Sequence, residues 1–197
     1  MAPVDWRGAW REGRTPWDAG QSPPALRDLL AADVVPAGTV LVPGCGTGYD
    51  LASLARPDRE VIGIDLSEEA RDAFHEAHPD LPGPVRYEVM DFFAFDIEGG
   101  VDFVWDYTFF CALDPAQRRD WAEVMARLLK PDALLATLLF PFENPISNPE
   151  GPPWPINTEL VRGFLGTRFD EVEVKSVDRS HPGREGRERL ALWRRRR

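Results

Sequence analysis

The segment Thr39-Val40-Leu41-Val42-Pro43-Gly44-Cys45-Gly46-Thr47-Gly48 constrains the fold most. A short, wholly apolar run does not alternate between core and solvent, so it reads as a strand buried on both faces of a parallel sheet. A glycine-rich stretch follows directly, then a helix from about Tyr49 to Ala55. Glycine lets a backbone approach a ligand closely, and the first turn of a helix carries N–H groups with no intrahelical partner. The next run, Glu60-Val61-Ile62-Gly63-Ile64-Asp65, is a second strand that ends in a carboxylate.

Strands and helices go on alternating. Ahead of the first strand, Ser22 offers a helix cap, with Pro23 and Pro24 at the first helical positions and Leu26, Leu29 and Leu30 as an apolar stripe to about Ala32. Ser67 caps a helix that runs to about Ala77, with Glu68 and Glu69 in its first turn. A third strand spans about Val85 to Met90, and a fourth spans Val101 to Trp105. Asp114-Pro115 opens a helix to Lys130, and Ala133 to Phe140 forms a fifth strand. Pro141, Pro145, Pro149, Pro152, Pro153 and Pro155 make 140–156 a long loop, of a length that often serves as a lid. A helix from Thr158 to Leu165 and strands near Phe169–Val177 and Glu188–Trp193 close the chain. This order predicts an α/β, Rossmann-like, seven-stranded, mostly parallel sheet with an antiparallel C-terminal edge hairpin and helices on both faces. With 197 residues and no dividing linker, one domain over 1–197 is expected.

Charge and cysteine content narrow the function. The net charge of −10 opposes the surface that a nucleic-acid backbone requires. Two cysteines, Cys45 and Cys111, cannot make a disulfide framework and read as small buried packers. His75 and His78 lie on one helix without further ligands near in sequence, so they read as solvated and no metal is expected. Met1 to Trp10 lacks the apolar run of a signal peptide, and the longest apolar stretch, Ala133 to Phe142, is too short for a membrane span. A cytoplasmic monomer acting on a small molecule, with no nucleic-acid or membrane partner, is the expectation. Trp105, Phe109, Phe110, Trp121 and Met125 read as core, and Arg194 to Arg197 as a solvated strand end.

Asp65 follows Gly44 at a spacing of 21 residues, where a strand-end carboxylate can take both hydroxyls of a ribose. Asp91 follows the third strand beside Phe92 and Phe93, a pairing that suits an adenine amino group and ring face. These features point to an adenosine-containing cofactor. A nicotinamide dinucleotide prefers Gly-x-Gly-x-x-Gly, and position 49 is tyrosine. The observed Gly-x-Gly-x-Gly with its two spaced acids fits S-adenosylmethionine better.

Leu41 to Asp50 resembles the first cofactor motif of class I S-adenosylmethionine-dependent methyltransferases. The finer resemblance is to the thiopurine methyltransferase family, and within it to the thiol and halide methyltransferase branch. Four further segments carry it: Trp6-x-x-x-Trp10 with Gly13 to Gly20, Asp106 to Pro115, Gly151-Pro152-Pro153-Trp154-Pro155, and Arg184 to Trp193. The resemblance implies that Asp65 and its neighbour Leu66 bind at the ribose, and Asp91 and Phe92 at the adenine. Gly44, Gly46 and Gly48 would pass under the methionine portion, and Trp6, Trp10 and Trp17 would fold over the cofactor as a lid. Asp106 would bind the cofactor and share the catalytic side with Tyr107, Thr15 and Trp154. Arg14 and Trp154 depart from the branch's usual small apolar residue and tyrosine, which bears on the acceptor.

Histidine is scarce outside 75 and 78, with only His181 far along the chain. A shortage of general bases favours a thiolate or halide nucleophile, which needs none, although Asp18 or Asp106 can serve as bases. The expected function is methyl transfer to a small sulfur or halide nucleophile. The alternatives are a larger aromatic thiol such as a thiopurine, a nicotinamide-dependent oxidoreductase on the same sheet, and a non-catalytic cofactor sensor.

Overall fold

A computed structural model describes residues 4–147 and 150–197. Met1 to Pro3 of the N-terminal arm and Pro149 of the proline-rich loop lie outside the described residues. Contacts gather in two compact units, one ending at Phe95 and one beginning at Asp96.

The first unit contains α1 (Trp6–Arg11), α2 (Pro24–Ala31), β1 (Gly38–Pro43), α3 (Tyr49–Leu54), β2 (Arg59–Asp65), α4 (Glu68–Ala77) and β3 (Val85–Val89). Strand β1 runs parallel to β2, with Val40 opposite Val61, and β2 runs parallel to β3, with Asp65 opposite Val89. Val40, Leu41, Val61 and Ile62 are fully buried, as an apolar run covered on both faces requires. Leu51 and Leu54 of α3 pack into the same core. Ser67 caps α4 as expected, its side chain accepting from Ala70 N.

The second unit contains β4 (Val101–Tyr107), α5 (Arg118–Leu128), β5 (Leu129–Leu139), α6 (Thr158–Leu165), β6 (Phe169–Ser176) and β7 (Arg189–Arg195). Strand β5 is parallel to β4, and β7 is antiparallel to both β5 and β6. Trp105, Trp121, Met125 and Phe110 are buried, in agreement with their reading as core, whereas Phe109 is half-buried. The strand order is β3-β2-β1 in the first unit and β4-β5-β7-β6 in the second, making a seven-stranded sheet.

Several expectations are corrected. Ser22 does not cap α2; Pro23 stands at the N-cap, and the Ser22 hydroxyl is buried with no partner among the described residues. The helix expected from Asp114 to Lys130 starts as a 3-10 turn, Pro115–Gln117, and ends at Leu128, so that Lys130 lies in β5. There Lys130 Nζ pairs with Asp102 at 2.8 Å, an interaction with a distant residue that helical periodicity does not report. Strand β4 continues through Asp106 and Tyr107. The C-terminal strands pair antiparallel at one end of the sheet as expected, with β7 on the inside and β6 at the edge. Leu190, Ala191, Leu192 and Trp193 of β7 are buried, whereas Asp170, Glu171 and Glu173 give β6 the charged character of an edge strand. His78 is half-buried and not a freely solvated helix residue. It follows α4 and packs against Phe74 and Tyr49, and burial lowers its pKa.

Candidate functional site

The turn from β1 into α3 runs with positive φ at Gly44, Gly46 and Gly48, at 59°, 52° and 73°. Only glycine adopts such values without strain. A Cβ at Gly48 would lie 2.2 Å from the Phe74 ring, so the backbone there also passes too close to α4 for any side chain. Asp65, at the end of β2, accepts from Gly46 N at 3.0 Å through Oδ2 and from Ser67 N at 3.1 Å through Oδ1. Burial raises its pKa, and the backbone donors of Gly46, Ser67 and Leu66 oppose that rise. The two oxygens together offer about four lone pairs, so acceptor capacity remains beside these bonds.

The N-terminal arm is tied to this turn. The short helix α1 was not foreseen; Asp5 caps it by accepting from Gly8 N at 2.8 Å. Arg7 Nε donates to Leu66 O at 2.8 Å, and Thr47 Oγ1 donates to Asp18 Oδ2 at 2.7 Å. The Trp10 ring lies 3.4 Å from where a Gly46 Cβ would stand. Trp6 and Trp17 meet edge to face at 5.3 Å, and Trp10 meets Trp17 at 6.1 Å. All three tryptophans stay half-buried, and of them Trp10 lies against the glycine turn. Thr15 lies in the same arm, and its carbonyl accepts from Asp18 N. Arg14 is exposed and pairs with Glu12.

Asp91 is exposed, and its Oδ1 accepts from Phe93 N at 2.9 Å at the start of a 3-10 turn, beside the buried Phe92. Tyr87 of β3 was missed by sequence reasoning. Its hydroxyl donates to Gly46 O at 2.8 Å. Cys45 also faces this cluster, its thiol pKa pushed well up by burial and then by the Asp65 charge.

In the second unit Asp106 is buried, with Oδ1 accepting from Phe110 N at 3.1 Å and Oδ2 from Trp121 Nε1 at 2.9 Å. Burial pushes its pKa up to about 6. Tyr107 donates to Glu188 Oε1 at 2.6 Å, Arg184 donates to the same phenol oxygen, and His181 stacks on the ring at 6.3 Å. Burial raises the Tyr107 pKa, and Glu188 adds to the rise. Sequence reasoning assigned Glu188, Arg184 and His181 no place in a site, since nothing in a polar turn announces burial. Cys111 is held as a thiol, its pKa pushed up to about 12 chiefly by burial. Trp154 N donates to Cys111 O at 2.8 Å, and the Trp154 side chain covers Gly151. Arg118, at the start of α5, is 5% exposed and sits 5.0 Å from the Phe110 ring centroid; its Nε and Nη2 have no partner among the described residues.

A half-buried carboxylate with spare acceptor capacity, next to a close-approach glycine turn under an indole, fits an adenosylated sulfonium cofactor. No group of three metal-ligating side chains occurs among the described residues, and none of their helices is long and apolar enough to cross a membrane.

Comparison with known proteins agrees. The probable thiol methyltransferase 2 of Arabidopsis thaliana is 36% identical over 191 residues, covering 95% of this chain and 83% of the relative. The thiocyanate methyltransferase 1 of the same plant is 35% identical over the same shares of both chains. The N-methyltransferase NodS of Bradyrhizobium japonicum, solved with S-adenosyl-L-homocysteine, superposes with a TM-score of 0.67 at 19% identity, over 94% of this chain and 91% of that one. That likeness shows the Rossmann-like methyltransferase fold, and family membership sets the nicotinamide alternative aside. The family profile matches residues 1–196, and the chain belongs to the thiopurine S-methyltransferase family of S-adenosylmethionine-dependent S-methyltransferases.

Proposed function

We propose that this enzyme, as one domain over 1–197, methylates a small, soft, anionic nucleophile: a thiolate, bisulfide, thiocyanate or iodide. The observation that supports this reading is Arg118, a buried guanidinium with two nitrogens that have no hydrogen-bond partner among the described residues. A buried cation is costly unless an anion compensates it. The printed names of the two plant relatives, thiol and thiocyanate methyltransferase, support the same class.

The cofactor supplies an electrophilic methyl group on a sulfonium. In-line attack on that carbon by the nucleophile would form the new bond as the S–CH3 bond breaks, leaving the bonding pair on sulfur. Attack by an anion neutralises charge, so positioning and exclusion of water supply much of the rate, and no base is needed. That suits Asp106, whose two oxygens already accept from Phe110 and Trp121. In this reading Asp65 and Leu66 hold the ribose, Asp91 and Phe92 the adenine, and Gly44, Gly46 and Gly48 run beneath the methionine portion. Trp6, Trp10 and Trp17 form the lid. Asp106, Tyr107, Thr15 and Trp154 serve the acceptor side.

Headspace mass spectrometry on purified protein with S-adenosylmethionine tests the reading, with bisulfide, thiocyanate, iodide and thiophenol offered separately. Volatile methylated products from the small anions are expected. Turnover of thiophenol alone would shift the assignment to a bulky aromatic thiol. No product from any acceptor, with cofactor still bound, would favour a sensor.

A further inference from the structure

We propose that Tyr87 is a positioning residue for S-adenosylmethionine, acting through Gly46. The inference rests on assigning the glycine turn to the cofactor. Gly46 is held from three directions. Its N–H goes to Asp65 Oδ2 at 3.0 Å, its carbonyl accepts from the Tyr87 hydroxyl at 2.8 Å, and the Trp10 ring covers its α-carbon. With φ at +52° this residue has no side chain to lock it, so these outside contacts set the orientation of its peptide groups.

The Tyr87 phenol is set in turn. Its ring centroid lies 5.3 Å from that of Phe74 at an interplanar angle of 35°, and Phe74 occupies the space over Gly48. The pair Phe74 and Tyr87 therefore fixes two of the three glycines, one by contact and one by a hydrogen bond. Burial raises the Tyr87 pKa, so the hydroxyl stays protonated and remains a donor near neutral pH. Loss of that donor would free the Gly46 carbonyl to turn. The Gly46 N–H lies in the neighbouring peptide plane, hinged at the same α-carbon, so movement of that carbon would weaken the bond that aims Asp65 Oδ2. The hydroxyl touches neither cofactor nor acceptor in this scheme. It pre-orders the turn and the ribose carboxylate before the cofactor arrives.

Tyr87→Phe removes one oxygen and leaves the ring in place. Calorimetry should show the Kd for S-adenosylmethionine and for S-adenosylhomocysteine rising about five-fold, the effect of one ordinary hydrogen bond. The KM for S-adenosylmethionine should rise in step, while kcat at saturating cofactor and the acceptor KM stay within about two-fold. A variant that melts earlier yet binds cofactor as wild type does would overturn the inference, leaving the contact structural. A wild-type protein that fails to bind S-adenosylmethionine would instead overturn the cofactor assignment beneath it.

If Tyr87→Phe does not fold, the native chain labelled with 3-fluorotyrosine carries the test. It has three tyrosines, Tyr49, Tyr87 and Tyr107, and Tyr49→Phe and Tyr107→Phe assign the fluorine signals. The Tyr87 signal should shift on adding S-adenosylhomocysteine. A signal that does not move would overturn the proposal.

Discussion

The Tyr107 hydroxyl donates to Glu188 Oε1 at 2.6 Å across 81 residues of sequence, and both side chains are buried. Tyr107 ends β4 and Glu188 immediately precedes β7, so one hydrogen bond fastens the end of a parallel strand to the start of an antiparallel one. Arg184 donates to the same phenol oxygen, which places a cation, a phenol and a carboxylate in one buried group. Charge-assisted bonds of this kind are stronger than neutral ones, and the cost of breaking one lies mainly in the group left unpaired.

Replacing Tyr107 by Phe therefore strands Glu188. The expected loss of folding stability is about 1–3 kcal/mol. Urea unfolding at neutral pH checks it, and a variant as stable as wild type would show that Glu188 finds another donor.

Asp106 predicts a pH effect with a definite sign. Its folded pKa of about 6 lies above the ordinary 3.8, because burial disfavours the carboxylate. Protonation is thus easier in the folded state. The contribution to stability is fully present below the ordinary value and is lost as pH rises through about 6. A shift of this size corresponds to roughly 3 kcal/mol. Subtracting the pH profile of Asp106→Asn from that of wild type should reveal a fall over this window. Parallel profiles would exclude a buried, perturbed carboxylate.

Asp65→Ala removes the acceptor assigned to the ribose. Affinity for S-adenosylmethionine should weaken by about 1–3 kcal/mol, read by calorimetry. Unchanged affinity would displace the ribose from the end of β2.

Arg59 offers a structural test away from chemistry. It is 1% exposed and donates to three carbonyls, Pro36 O at 2.9 Å, Leu54 O at 2.9 Å and Val35 O at 2.7 Å. Met in its place keeps much of the bulk but leaves these acceptors without donors. A loss of about 2–4 kcal/mol in thermal or urea unfolding is expected, partly restored by Lys. A smaller loss would mean that water reaches the carbonyls.

Local pattern was enough to specify much of this protein. The apolar run of β1, its glycines and the acid ending β2 are adjacent in sequence, so their spacing alone announced a strand, a close-approach turn and a carboxylate. The bounds of α6, Thr158–Leu165, followed from periodicity in the same way. Other features depend on partners far along the chain. Lys130 reads as helical by its neighbours, yet it lies in a strand and pairs with Asp102. Ser22 looks like a cap but Pro23 takes that place. Tyr87 is one aromatic residue in a strand until its hydroxyl is seen on Gly46, 41 residues away. Glu188 and His181 lie in a polar stretch, yet both are buried, the one hydrogen-bonded to Tyr107 and the other stacked on its ring. Sequence determined the backbone pattern and the glycine turn, because strand burial and glycine geometry are local properties. Tertiary structure decided which polar side chains lose water and find partners, because burial belongs to a group's surroundings and not to its place in the chain.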